Sequence, residues 1–235
     1  MNMIRWAAIP AAAAISLGAA ACGSGGSHTS AAPPPAPATL AKEIRAAIQH
    51  ASSVHVSGSG SENGTTMTVN LSMTRSGGMS GQISVSGAGF TVLSTHGSSY
   101  IKVTGAFLKY AHLPTAACSM MCGRYLKLPP AEAQSLAGGL SMRGMGTGSF
   151  MGITMNGSPN FRIVGTANVN GQRAWVLRDS DGSTAYVASS GTAYPLRVVA
   201  PPSKQGRLDF TQWNSVTIPP PPPASQVVDL SKLHA

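Results

Sequence analysis

The stretch TTMTVNLSMTRS, Thr65 to Ser76, alternates between polar and apolar side chains over most of its length. Its apolar positions are Met67, Val69, Leu71 and Met73. A period of two places these side chains on one side of an extended chain and the intervening polar side chains on the other. The stretch therefore predicts a β-strand with one buried face.

Similar patterns follow along both halves of the chain. In the first half they are SVHVSGSG from Ser53, GQISVSG with Ile83 and Val85, FTVLST from Phe90, and SSYIKVTG with Ile101 and Val103. In the second half they are FRIVGTANVNGQRAWVLRD, SDGSTAYVA, YPLRVVAP and RLDFTQWNSVTI. The hairpin turns are expected at Gly77–Gly78, Gly87–Gly89, Asn170–Gly171 and Asp181–Gly182. We predict an antiparallel meander of roughly nine to eleven strands, not parallel βαβ units.

Two segments have the pattern of a helix. TLAKEIRAAIQHAS carries an apolar stripe that includes Ile44 and Ile48, with Thr39 as its expected N-cap. LPPAEAQSLAGGLS begins at Pro129–Pro130 and ends at Gly138–Gly139. A large sheet with one apolar face must close, pair with a second sheet or wrap around helices. The fold class predicted here is mainly β with a small helical component.

The amino terminus has the pattern of an export signal. One charge at Arg5 precedes an apolar run from Ala7 to Ala21 that is too short to remain as a membrane-spanning helix. The junction at Cys22 resembles a bacterial lipobox, although Ala19 stands where a branched aliphatic residue is usual. That resemblance implies cleavage before Cys22, a diacylglyceryl group on its thiol and an acylated new amino terminus. The alternative is a secreted protein that carries no lipid.

These patterns divide the chain into four parts. We assign residues 1–21 to a signal peptide, 22–38 to a flexible Gly/Ser/Pro tether, 39–219 to one folded domain and 220–235 to a proline-rich tail. The tail opens with a polyproline run from Pro219 to Pro223. That run is either a recruitment site for a partner or a stiff spacer that lets Val227, Val228, Leu230 and Leu233 dock back on the domain.

Composition and motif searches argue against nucleic-acid binding and catalysis. The formal net charge is +9, but the basic residues are scattered singly and the export signal places the chain outside the cell interior. Mild attraction to anionic lipid headgroups or cell-wall polymers is the expected use of the charge. The acidic residues couple to no histidine in any local motif, and no hydrolase, zincin or phosphate-loop signature occurs. We predict no catalytic residues, resident metal or cofactor.

Several stretches in the same order resemble the LolA/LppX-like lipoprotein domain of actinobacterial envelopes. They are ASSVHVSGSG from Ala51, NGQRAWVLRDSDGSTAYVASSGTAYPLRVVAP from Asn170 to Pro201, GRLDFTQWN from Gly206, and PPASQVVDLSKL ending at Leu233. The resemblance implies a half-open antiparallel β-barrel wrapped around one or two helices, with an apolar cavity for a lipid or acylated glycolipid. Together with the lipobox at Cys22, we expect a monomer anchored by lipid to the outer face of the cell membrane.

The strand patterns predict which residues would line such a cavity. They are Met67, Val69, Leu71, Met73, Ile83, Val85, Ile101 and Val103. The alternative is that these side chains form a filled core of a structural or interaction lipoprotein. The Met- and Gly-rich segment Leu140–Gly157 is a candidate lid over the cavity mouth, or an ordinary loop. Its methionines are Met142, Met145, Met151 and Met155.

Cys118 and Cys122, in AACSMMCGRY, are the other two cysteines of the chain. Outside the cytoplasm two such thiols favour a disulfide. The alternative is a copper site with soft ligands, since His112, Met120, Met121, Met142 and Met145 are also available. Both alternatives stay open at the level of sequence.

Overall fold

The described part of the molecule consists mostly of β-strands. The computed structural model describes residues 33–139, 141–142, 149–150, 153–154 and 159–232. The helices are α1 Pro37–His50, α2 Gly105–Tyr110, α3 Cys118–Met121 and α4 Pro130–Gly139, with single 3₁₀ turns at Thr115–Ala117, Ala224–Gln226 and Leu230–Lys232. The predicted signal peptide, Cys22, Met145, Met151, Met155 and Leu233 lie outside the described residues, as does most of the predicted tether.

The strands follow one another with few interruptions. They are β1 Ser53–Glu62, β2 Thr65–Thr74, β3 Met79–Val85, β4 Ala88–Thr95, β5 Ser98–Val103, β6 Tyr125–Lys127, β7 Ser149–Phe150, β8 Ile153–Thr154, β9 Arg162–Val169, β10 Gln172–Arg178, β11 Thr184–Ala188, β12 Pro195–Val199, β13 Gln205–Thr211 and β14 Val227–Asp229. The sequence patterns did not predict strands β6, β7, β8 and β14. Each is too short to show a period in the sequence.

Twelve of these strands form a single open sheet. Its order is β14-β6-β5-β4-β3-β2-β1-β13-β12-β11-β10-β9. Every neighbouring pair is antiparallel except β14 and β6, which run parallel. Because β14 and β9 are the two edges, the sheet does not close on itself. This arrangement confirms the predicted fold class of a half-open antiparallel barrel with few helices.

Two-residue turns join many of the strands. Asn63–Gly64, Ser86–Gly87, His96–Gly97 and Asn170–Gly171 all have positive φ at both residues. That is the geometry of type I′ turns, whose twist matches the twist of the strands. The expected turn at Asp181–Gly182 differs, because only Gly182 has a positive φ (91°). There Asp181 Oδ1 accepts a hydrogen bond from the Ser183 amide at 2.7 Å, within a longer loop between β10 and β11.

The last predicted long strand ends early. The pattern RLDFTQWNSVTI predicts a strand that extends to Ile218, but β13 ends at Thr211. Gln212 and Asn214 both have a positive φ, which breaks the extended backbone. The Asn214 amide then donates to the Ser53 carbonyl at 2.9 Å, so the chain turns across the start of β1.

Helix α1 covers one face of the sheet. It begins at Pro37 and not after Thr39, with Ala36 as an N-cap that makes no side-chain hydrogen bond, so the predicted cap was wrong. The missing cap costs about 1 kcal/mol. Burial of Leu40, Ile44 and Ile48 outweighs it, at about 2 kcal/mol for each side chain. The second predicted helix is confirmed as α4.

Arg75, near the end of the opening stretch, fastens α1 to the sheet. Its guanidinium donates hydrogen bonds to the Ile48 and Ala51 carbonyls at the carboxyl end of the helix, the second through Nε at 2.7 Å. A cation at that end also complements the helix dipole. Within the described part of the chain, no helix combines the length and the apolar character needed to span a bilayer.

Gly58 in β1 and Gly81 in β3 lie in the two strands that flank β2. Their φ values are 153° and 147°, and a Cβ at either position would lie 2.0 Å from a carbonyl oxygen of the neighbouring strand. Those oxygens belong to Arg207 and Asn70. Only glycine fits at these two points, where the strands pass closest to each other.

Replacement of either glycine is expected to destabilise the protein. Gly58→Ala or Gly81→Ala should lower the free energy of unfolding by about 3 kcal/mol, because the backbone must shift to relieve the collision. Gly60→Ala is the matched control in β1, since its nearest atom lies 3.4 Å away. It should cost less than about 1 kcal/mol in urea unfolding. Equal losses for the three variants would contradict this account.

Removal of the Arg75 side chain is expected to loosen α1. Arg75→Met should cost about 2–3 kcal/mol in the same unfolding measurement, because two helix carbonyls lose charged donors. The exposed Arg173 provides the control as Arg173→Met, which should have little effect. A loss of less than about 0.5 kcal/mol for Arg75→Met would show that the helix is held by its apolar side chains alone.

Candidate functional site

The predicted lining residues share one face of the sheet, called here the inner face. In the strand register Met67 lies opposite Val85, and Val69 lies opposite Ile83. Ile83 in turn lies opposite Phe90, and Phe90 opposite Val103. Leu71, Gly81, Val92 and Ile101 form a second such row across β2 to β5. Since Met73 has the same parity as Leu71 on β2, all eight residues lie on the inner face.

Helices cover the inner face unequally. Leu71, Met73 and Ile83 are buried in the main core with Leu40, Ile44 and Ile48 of α1. Ile101 and Val103 belong to a second cluster that contains Leu108 of α2 and Leu126 of β6. The methionine of the candidate lid that the structure describes, Met142, is buried in the main core.

One stretch of the inner face is left uncovered by the described residues. Met67 is 44 % exposed, and Val69 and Val85 are half-buried. These side chains lie toward the amino end of β2 and the carboxyl end of β3, beside the turns Asn63–Gly64 and Ser86–Gly87. An apolar strip therefore leads from solvent at this end to the packed core beneath α1.

A pocket of about 980 Å³ lies at the opposite end of the same strands. It is formed by the β2–β3 turn, the β4–β5 turn, the chain from the end of β6 into α4, residues 216–218 after β13, and the tail near β14. Among its lining residues are Ser76, Ser94, His96, Ser99, Lys127, Gln134, Thr217, Asp229 and Ser231. Most of these side chains carry hydroxyl, amide or charged groups. None of the eight predicted residues lines this pocket.

The inner face changes from apolar to polar where it meets the pocket. Along β4 the inward residues are Phe90, Val92 and then Ser94, and along β5 they are Val103, Ile101 and then Ser99. Ser94 Oγ and Ser99 Oγ are buried and lie 2.8 Å apart, within hydrogen-bond distance. The face therefore offers an apolar surface that ends in hydroxyl groups.

Sequence reasoning missed the pocket because distant segments assemble it. The sequence did contain a sign of Ser94 and Ser99. In FTVLST and SSYIKV each of these serines continues the alternation of the apolar residues, so it lies on the same face of its strand. The contribution of Asp229 and Ser231 could not be inferred, since nothing in the sequence fixes where the tail docks.

Asp229 and Lys127 are the charged groups at one side of the pocket. The Ser231 hydroxyl donates to Asp229 Oδ1 at 2.6 Å, and this hydrogen bond is the main cause of a lowered pKa for the Asp229 carboxyl. Burial of the carboxyl acts in the opposite direction, and the Ser231 amide and the charges of Lys127 and Lys232 lower that pKa further. Lys127 Nζ lies 4.0 Å from Asp229 Oδ2. The carboxylate therefore stays charged through the neutral range.

Other titratable side chains serve the fold. Asp209 accepts hydrogen bonds from Arg197 Nε at 2.6 Å and Arg207 Nε at 2.7 Å. His55 Nδ1 lies 3.0 Å from the Ser72 hydroxyl, on the face opposite the inner face. Among the residues that the structure describes, no group of three His, Cys, Asp or Glu side chains gathers as a metal site.

A disulfide joins Cys118 to Cys122 at the start and end of α3, with 4.7 Å between their Cα atoms. Both cysteines and Met121 pack against the cluster of Val103, Leu108 and Leu126. Of the other proposed copper ligands, Met121 lies beside them in the same cluster. Met142 lies in the main core, Met120 is 63 % exposed, and Met145 is outside the described residues.

Comparison with known proteins gives matches in structure alone. No protein-family model matches the chain, and no curated protein sequence matches it. LprF from Mycobacterium bovis superimposes with a TM-score of 0.51 at 15 % identity, over 80 % of this chain and 97 % of that one. The Mycobacterium tuberculosis lipoprotein LppX gives a TM-score of 0.47 at 15 % identity, over 78 % of this chain and all of that one. The fold of LprF is therefore also the fold of this chain.

The disulfide gives a direct chemical prediction. In the exported protein Cys118 and Cys122 should resist alkylation until a reductant is added, and a double Cys→Ser variant should lose about 2 kcal/mol of unfolding free energy, as expected for so short a loop. Mass spectrometry of iodoacetamide-treated peptides checks the first result and urea unfolding the second. Free thiols in the unreduced protein would contradict the disulfide and favour the copper site.

Proposed function

We propose that this chain is an exported envelope lipoprotein that binds an amphiphile, either a lipid or an acylated glycolipid, and performs no chemistry on it. The observation that carries the proposal is the inner face. Among the described residues it presents an uncovered apolar strip at one end and, at the other, a pocket whose lining includes hydroxyl, amide and charged side chains. An amphiphile matches that order of surfaces, with its acyl part on the strip and its headgroup toward the hydroxyls.

The dimensions of the inner face support an acyl ligand. From Met67 to Met73 the strand advances by about 20 Å at ~3.3 Å per residue. Each leaflet contributes about 15 Å to the hydrocarbon core of a bilayer. A single acyl chain laid along β2 would match this length, but it would have to displace the α1 side chains that pack on Leu71 and Met73.

The polar pocket supports a ligand with a hydrogen-bonding headgroup. Its hydroxyl and amide side chains can each donate and accept, and Lys127 and Asp229 bring one charge of each sign. Such a lining favours a polyhydroxylated or zwitterionic group over a simple anion.

The location we propose rests on the amino terminus. Two acyl chains on Cys22 would hold a monomer on the outer face of the cell membrane. The Gly/Ser and Pro segments up to residue 38 would separate the domain from the surface.

A filled-core interaction lipoprotein is the second candidate function. It is favoured by the burial of Leu71, Met73 and Ile83 against α1, which leaves those three side chains no room for a ligand in this conformation. A lipid that reaches them would have to displace part of the core. The two candidates differ in whether lipid accompanies the protein.

Native mass spectrometry of the exported full chain, with organic extraction of bound material, tests the proposal. We expect an acyl lipid in a defined ratio to the protein. Met67→Asp should reduce the bound lipid at least about tenfold, because it places a charge on the apolar strip. Thr68→Asp is the matched control, since Thr68 is the next residue of β2 and lies exposed on the opposite face.

Two results would contradict the lipid-binding proposal. One is a protein that carries no lipid and takes up none from envelope lipid extracts. The other is an equal loss of lipid in the Met67 and Thr68 variants. Both variants should keep the unfolding midpoint of the parent protein, because both side chains are exposed.

A further inference from the structure

The segment from Thr104 to Arg124, called here the disulfide segment, exposes large apolar side chains. Tyr110 is 49 % exposed, Leu113 46 % and Met120 63 %. In the described part of the chain the other large apolar side chains with comparable exposure are Met67 and Val164. Three such side chains within eleven residues are more than the scattered exposure expected of an ordinary surface.

Other residues of the disulfide segment are packed or hydrogen-bonded to the domain. Thr104 caps α2 by accepting a hydrogen bond from the Phe107 amide at 3.2 Å. Leu108 is fully buried, and the Phe107 ring packs on Phe90 at 4.9 Å between centroids. The disulfide closes the far end of the segment. The exposed side chains therefore project from a structure that is already packed, and they cannot fold inward to complete it.

The charge of this region has one sign. Between Glu62 and Glu132 the sequence contains no acidic residue, whereas it contains Arg75, Lys102, Lys109, Arg124 and Lys127. Lys109, His112 and Arg124 belong to the disulfide segment and are exposed. Arg124 has a contact with the Val227 carbonyl at 3.5 Å and Lys127 has one with Asp229, so Lys109 is the cation of the segment with the freest approach to a partner.

We propose that the disulfide segment docks onto the surface of an anionic lipid bilayer. Exposed apolar and aromatic side chains in a stretch of sequence that holds cations and no carboxylate match the interface of such a membrane. The strand register places the disulfide segment near the uncovered end of the inner face. Thr104 directly follows Val103, which lies opposite Phe90 near the uncovered end of the inner face. Docking requires no lipid on the inner face, so the inference goes beyond the proposed function.

Quenching of tryptophan fluorescence by brominated lipids tests the docking. The full chain carrying Leu113→Trp is reconstituted in phosphatidylcholine vesicles with about 30 % phosphatidylglycerol, part of it brominated on its acyl chains. Val164→Trp is the matched control, an exposed apolar site of 44 % on β9. The unsubstituted protein supplies the signal of the natural tryptophans. Met120→Trp serves as a second probe of the segment.

We expect quenching at Leu113→Trp to exceed that at Val164→Trp by about twofold or more in the anionic vesicles. The difference should shrink in pure phosphatidylcholine and in about 1 M salt, where charges are screened. Equal quenching at the two positions would overturn the inference, as would quenching that is independent of phosphatidylglycerol. The test does not depend on an acyl anchor. For protein without one, the quenching is measured on the fraction that sediments with the anionic vesicles, so failure of docking is distinguished from failure of lipidation.

Discussion

A sheet of twelve strands with one apolar face must keep that face out of water, and the rest of the molecule follows from this requirement. Helix α1 covers the middle of the inner face, and Arg75 fixes its carboxyl end to the β2–β3 turn. The disulfide segment covers the side near β5 and β6 through Leu108. Among the described residues, the face between these covers stays open at Met67, which is 44 % exposed.

The opposite ends of the inner face have different chemistry. At one end the strands finish in apolar residues beside tight glycine turns. At the other, Ser94 and Ser99 replace the apolar residues, and the surrounding turns and tail bring further polar groups. A surface graded in this way favours a ligand that is itself divided into an apolar and a polar part. A uniformly apolar core would provide no such gradient.

Much of this architecture could be predicted from alternation and turn residues. TTMTVNLSMTRS identified β2 and its buried side, and Asn170–Gly171 marked a hairpin, because both are local properties of the chain. What depended on distant contacts was missed. The pocket draws on separated segments, α2 and α3 are too short for a helical period, and the end of β13 is set by positive φ at Gln212 and Asn214. The burial of Met142 in the main core also had no local signal, since its neighbours show no regular period.

The parallel pairing of β14 with β6 has a consequence for how the chain matures. Val228 pairs with Leu126, about a hundred residues earlier, and it packs on the cluster beneath the disulfide segment. In the same way β1 lacks one of its two neighbouring strands until β13 has been synthesised, since Val56 pairs with Phe210. The sheet therefore cannot be completed until residues near the end of this sequence have been synthesised. Its assembly depends on contacts of long sequence separation, which form more slowly than the local hairpins.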